Sequence, residues 1–133
     1  MPRFRSDLYR LIGRLPVPCD DTIEWAMWYE TADRRVRYTE VGPLRISTVF
    51  LGMDHNFGGD GDPLIFETMV FDDGDDSYCT RCSTWDQAEM MHEAAVEVAT
   101  EHVRKANLTL NESLALAVSC ISARLHELKS KES

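Results

Sequence analysis

Long apolar runs are missing from this sequence of 133 residues. None approaches the roughly 18 residues that a membrane-crossing helix needs, so no such helix is expected. The start, MPRFRSDLYRLIGRLPVPCD, is basic but has no continuous apolar core, because Arg10 and Arg14 interrupt it. A secretory signal is therefore not expected, and a cytoplasmic location follows. Cysteine is scarce as well. Cys19, Cys79, Cys82 and Cys120 are dispersed, unlike a disulfide framework, and read as reduced thiols. Positive charge is also short: 14 Lys and Arg against 23 Asp and Glu leave a net charge of −9. That field repels nucleic-acid backbones, so direct nucleic-acid binding is not expected. An acidic chain suits instead a basic groove on a nucleic-acid-binding partner; the simpler role of the charge is solubility.

What is present describes an ordinary globular protein, 44% hydrophobic and 28% charged, long enough to bury a core as one domain over residues 1–133. There is no internal repeat and no dividing linker. Arg3, Arg5, Arg10 and Arg14 make residues 1–20 a basic segment, and Arg34, Arg35 and Arg37 form a second cluster. Most of the acid lies between Asp54 and Glu101.

The pattern predicts an α+β fold. Asp20-Asp21 precedes Ile23, Trp25, Met27 and Trp28, which gives a capped helix over Thr22 to Ala32 with the tryptophans as packing anchors. Residues 7–13 are read as one further helical turn. Arg35 to Val41 is a strand by its β-branched and aromatic content, Gly42-Pro43 a turn, and Leu44 to Met53 a second strand. Asp54 to Asp62 is a loop. Pro63 to Phe71 is a third strand, apolar on both faces and so expected to be central and covered twice. Asp72 to Asp76 is an acidic hairpin loop, and Ser77 to Cys82 a fourth strand. Thr84 with Gln87 has capping-box spacing, and Ala88, Met91, His92, Ala95, Ala99 and Val103 fall on one helical stripe. Asn107 is expected to break that helix. Thr109 with Glu112 is a second capping box, opening an additional helix over 107–133 with Leu114, Ala117, Val118, Ile121, Leu125 and Leu128 on its stripe. The prediction is a four-stranded antiparallel meander packed by a short N-terminal helix and two C-terminal helices, one sheet face meeting the long helix and the other the N-terminal helix or a second copy in a homodimer.

Chemistry concentrates in a few positions. Asp54-His55 follows a strand, where a carboxylate-oriented imidazole can act as a general base or ligand; the competing reading is that Asp54 caps the loop's own amides. Glu67 lies within an apolar run, and a buried carboxylate needs a partner, with Arg35, Arg37 or Tyr38 as candidates. His92 sits on the helix stripe, either as a hydrogen-bonded core residue or within reach of Glu67. Cys79-Thr-Arg-Cys82 has CxxC spacing, but no second pair completes a zinc set, and along a strand the two thiols point to opposite faces. The carboxylates of Asp60, Asp62 and Asp72 to Asp76 match no EF-hand, and Gly58-Gly59-Asp60-Gly61 lacks the lysine of a P-loop. No metal or cofactor is expected.

The segments EWAMWYETADRRVRYTEVG, STVFLGMDHNF, PLIFETMVF and STWDQAEMMHEAA resemble a family of small proteins from tailed-phage genomes and prophages with no assigned reaction. The likeness runs from about Glu24 to Ala95, with Asp54, His55, Glu67 and His92 at matching positions. It implies a viral setting in a host cytoplasm. Three functions are in play. The first is an acidic inhibitor that blocks a host defence complex by protein–protein contact, as anti-CRISPR proteins do. The second is a sponge for a nucleotide-like immune signal, with Tyr38, Asp54, His55, Glu67, His92 and Arg35 as ligand-binding residues. The third, ranked last because no complete nucleophile–base–orienter set is visible, is a metal-assisted hydrolase using Asp54, His55 and Glu67.

Overall fold

The computed structural model describes residues 7–72 and 75–131, without the side chains of 75–77 and 131. Arg3, Arg5 and residues 73 and 74 lie outside the described residues, and Asp72, Asp75 and Asp76, expected in a loop, belong instead to paired strands. The chain forms two compact units, Met1–Ala99 and Thr100–Ser133. The first holds strands β1 (Tyr9–Ile12) and β2 (Leu15–Pro18), helix α1 (Thr22–Thr31), and strands β3 (Arg35–Val41), β4 (Leu44–Phe50), β5 (Phe66–Asp72) and β6 (Asp75–Cys82). Helix α2 (Trp85–Lys131) begins in the first unit and makes up the described part of the second. Among the described residues no helix is long and apolar enough to cross a membrane.

The four-stranded meander is as the sequence indicates, in the order β3-β4-β5-β6 and antiparallel throughout. Val41 pairs with Leu44 across the two-residue turn Gly42-Pro43. Gly42 takes φ 56°, the positive value that a tight hairpin needs at its first turn position. Residues 7–13 do not make a helical turn. They enter β1, which pairs with β2 as a small hairpin, Ile12 opposite Leu15. The apolar residues there suit a strand as well as a helix, and the run is too short for periodicity to decide.

Alternation divides the sheet into two faces. Leu44, Ile46, Thr48 and Phe50 of β4, with Phe66 and Thr68 of β5, are buried. Above them α2 lays down Ala88, His92, Ala95 and Ala99, a buried stripe at three- and four-residue steps. Phe50, Phe66, Ile65, Tyr9 and Ala88 form the core cluster, with Trp28 and Trp85 packed against it. Phe50 meets Phe66 at 5.2 Å and Trp28 at 6.0 Å between ring centroids. The tryptophans of α1 are therefore anchors, as expected; Trp25 adds a 2.9 Å hydrogen bond from Nε1 to the Tyr9 carbonyl. The reverse face is not covered as the sequence suggested. Glu67, Met69 and Phe71 are only half-buried, because α1 and the β1–β2 hairpin pack at the end of the same face that α2 covers.

The C-terminal region corrects the expectation of two helices. Thr84 and Gln87 do form a capping box: Gln87 N donates to Thr84 Oγ1, and Thr84 N donates to Gln87 Oε1. The second box does not form. Thr109 instead donates its hydroxyl to the Lys105 carbonyl, four residues back, which lets a threonine sit inside a continuous helix. Residues 85–131 contain neither proline nor glycine, so nothing forces an end at Asn107.

Gly52 is the tightest point of the first unit. Its φ is 77°, and an added Cβ would stand 3.2 Å from the Trp25 ring and 3.3 Å from Tyr29. Replacing it with alanine combines left-handed strain with a clash against α1. Gly52→Ala is expected to lose about 1–3 kcal/mol of stability, measured by urea unfolding. A loss confined to a few tenths would show that α1 yields freely.

Candidate functional site

The buried polar centre of the protein is a chain of four groups. His92 Nδ1 lies 2.7 Å from Thr48 Oγ1, and Nε2 lies 2.8 Å from Thr39 Oγ1. Thr48 Oγ1 is bonded in turn to Thr68 Oγ1. Thr48 and Thr68 face each other directly in the β4–β5 register. His92, Thr48 and Thr68 are fully enclosed. A neutral imidazole offers one donor and one acceptor, and hydroxyls can answer either, so both ring nitrogens are matched. Burial first, and then the Arg37 cation, hold the His92 pKa below its usual 6.5, while Glu93 acts weakly the other way. Arg37 and Glu93 pair with each other at 3.3 Å. This histidine is a structural clamp between α2 and three strands.

Asp54 is also buried and also committed. Its Oδ1 accepts from the amides of Asn56 at 2.8 Å and Leu64 at 2.9 Å, closing the 54–64 loop on itself. Asn56 extends that closure by donating from Nδ2 to the carbonyls of Asp60 and Asp62. His55 donates from Nδ1 to the Met53 carbonyl at 2.9 Å, and its ring lies 5.8 Å from that of the exposed Phe57.

Glu67 finds a partner other than the expected Arg35, Arg37 or Tyr38. Arg81, directly opposite on β6, donates from Nε at 2.8 Å. The Glu67 side chain is 12% exposed and that of Arg81 38%. Glu67 lies on the reverse face of the sheet, so His92 does not approach it. On that same face Arg35 stacks over the Tyr38 ring at 5.0 Å, and Tyr38 donates its hydroxyl to Glu40 at 2.9 Å. That bond to Glu40 raises the Tyr38 pKa.

The six residues singled out from the sequence thus fall in three places. Arg35, Tyr38 and Glu67 share the open sheet face; Asp54 and His55 belong to the loop; His92 is on the covered face. A surface depression of about 570 Å³ adjoins Arg35, lined by Ala32, Asp33, Arg34, Val36, Arg37 and Val49 besides. Its arginines are engaged: Arg34 donates to the Phe50 carbonyl and stacks on Tyr29, and Arg37 pairs with Glu93. Cys79 and Cys82 lie on opposite faces, and burial pushes the Cys82 thiol above its usual range. Among the described residues no group of three or more His, Cys, Asp or Glu side chains converges as a metal site.

The open face carries more than Arg35, Tyr38 and Glu67. Its rows are Arg35–Val49–Glu67–Arg81, Tyr38–Ser47–Met69–Cys79 and Glu40–Arg45–Phe71 across the strands. Every member is exposed or half-buried. Arg45 stacks over Phe71 at 5.7 Å. The two central strands contribute Val49, Met69 and Phe71 together with Arg45, Ser47 and Glu67, and the edge strands contribute Arg35, Tyr38, Glu40, Cys79 and Arg81. The alternation of Arg45, Ser47 and Val49 with buried partners was the available signal.

His92→Leu removes both ring nitrogens and leaves the Thr39 and Thr48 hydroxyls short of a partner, and is expected to cost about 2–4 kcal/mol. The pH dependence has a definite sign. With the folded pKa lowered, the unfolded chain binds the extra proton first, so the His92 contribution is complete above pH 6.5 and is lost as pH falls below it. Urea midpoints above and below pH 6.5 should show that fall in the parent chain and a smaller one in His92→Leu. Equal slopes would remove His92 from the account.

The chain matches no family model, no curated protein and no solved structure, so its function is read from this geometry.

Proposed function

We propose that this chain is a small acidic binding protein that engages a partner protein through the open face of its sheet. The observation that carries this reading is the composition of that face: half-buried Val49, Met69 and Phe71 interspersed with Arg35, Tyr38, Arg45 and Arg81. Aromatic residues, methionine and arginine are the types enriched where proteins meet. Half-buried apolar side chains gain further burial from a flat partner at little conformational cost. The partner class follows from the phage resemblance, a host defence complex whose action the contact blocks.

Much of the acid of the chain lies elsewhere. Asp86, Glu93, Glu97 and Glu101 are exposed along α2, whereas among the described side chains of the open face three arginines stand beside Glu40 and Glu67. The contact we propose is therefore apolar and mixed in charge, and differs from the insertion of an acidic surface into a basic groove. A second reading has one observation behind it. The depression beside Arg35 brings Arg34, Arg35 and Arg37 to one rim, which suits an anionic, nucleotide-like ligand.

Affinity capture from a host lysate, with the parent chain and Met69→Glu side by side, tests the first reading. A stoichiometric partner that binds the variant about thirtyfold more weakly is expected. Glu97→Lys, on the helix, should leave capture unchanged, and tryptophan emission confirms that both variants fold. Equal capture by parent and Met69→Glu would overturn the proposal. Heat on titration with cyclic nucleotides, lost in Arg35→Ala, would move the function to the depression.

A further inference from the structure

The second unit carries an exposed apolar stripe. Leu114, Val118, Ile121, Leu125 and Leu128 follow one another at steps of four, three, four and three. Each is between 49% and 62% exposed. Their average step is 3.5 residues, less than the 3.6 of a straight α-helix. A stripe of that period stays in contact only with another helix that winds around it, each side chain entering a gap between four residues of the facing helix. The occupant is therefore a helix, with at least this length of matching seam. The chain's other described helix, α1, has 10 residues and already points its tryptophans inward.

We propose that residues 111–128 pair antiparallel with the same residues of a second copy of this chain, Val118 of each copy against Ile121 of the other, Leu114 against Leu125, and Leu128 against Asn111 at the ends. A second copy brings an identical stripe, and a two-fold axis makes such a stripe complementary to itself. Charge selects the direction. With Leu114, Ile121 and Leu128 at the d positions and Val118 and Leu125 at a, Arg124 occupies a flanking g position and Lys129 a flanking e position. Parallel chains place each Arg124 against Lys129 of the other copy, a like-charge contact repeated twice by symmetry. In the antiparallel register Arg124 flanks Ala117, and Lys129 flanks Leu108, so no like charges meet. Antiparallel helices also align their dipoles favourably. The seam covers only about two heptads, so the pairing is reversible and depends on concentration.

Sedimentation equilibrium of the full chain should show the mass rising with concentration from 15.2 kDa towards twice that value and no further. Ile121→Glu should stay at the monomer mass throughout, with the emission of Trp25, Trp28 and Trp85 unchanged because the first unit stays folded. Direction is read by cysteine trapping, with Cys79 and Cys120 replaced by serine. Mixed Val118→Cys and Ile121→Cys chains should give predominantly the mixed disulfide. A monomer at every concentration, a trimer or larger species, a dimer that survives Ile121→Glu, or Val118→Cys chains that link chiefly to themselves would each overturn the proposal.

Discussion

The hydrogen-bonded chain Thr39–His92–Thr48–Thr68 is the constraint from which the rest of the first unit follows. It joins α2 to β3, β4 and β5 in one buried line. A satisfied polar network in a low-dielectric interior is directional in a way that apolar contact is not. Sliding β4 by one residue would carry Thr48 to the other face of the sheet and leave both His92 and Thr68 unmatched. The network therefore fixes strand register, helix rotation and the choice of covered face together, while Phe50, Phe66 and Ala88 supply the apolar burial around it.

Once α2 is held on that face, the remaining surfaces are determined. The N-terminal hairpin and α1 close the end of the same core through Tyr9, Trp25 and Trp28, with Gly52 admitting the aromatic rings at close range. The other side of the sheet keeps its middle residues half-buried and its edges exposed. Glu67 resides there without cost in unpaired charge, because Arg81 is its register partner. Arg35 and Arg45 hold their guanidinium groups over the Tyr38 and Phe71 rings, within reach of a cation–π attraction. The open side of the sheet is the one that we propose meets a partner.

Much of this was legible in the sequence. The four strands of the meander, the Gly42-Pro43 turn, the Asp21 cap and the Thr84–Gln87 box all rest on local rules that the structure obeys. Other features were not, each for a physical reason. The β1–β2 hairpin depends on Leu8 and Tyr9 meeting Met53 and Gly52, contacts with no local signature. The break expected at Asn107 failed because a capping-box spacing is also compatible with a helix interior when the threonine bonds backward. The candidate site dispersed because Asp54, Glu67 and His92 each found a nearer partner than one another. Thr39, Thr48 and Thr68 were silent, although polar residues at inward strand positions opposite a histidine on a helix stripe do mark such a network.

The central claim is that α2 seals one face of the sheet and leaves the other open, and two cysteines of one strand report on it. Cys79 lies on the open face and is exposed; Cys82, three residues on, lies on the covered face with its thiol pKa raised by burial. The rates at which a soluble thiol reagent modifies each under native conditions, resolved by peptide mass, test the arrangement directly. The account predicts rapid labelling of Cys79 and protection of Cys82 that disappears in denaturant. Equal rates at the two thiols, or faster labelling of Cys82, would contradict it.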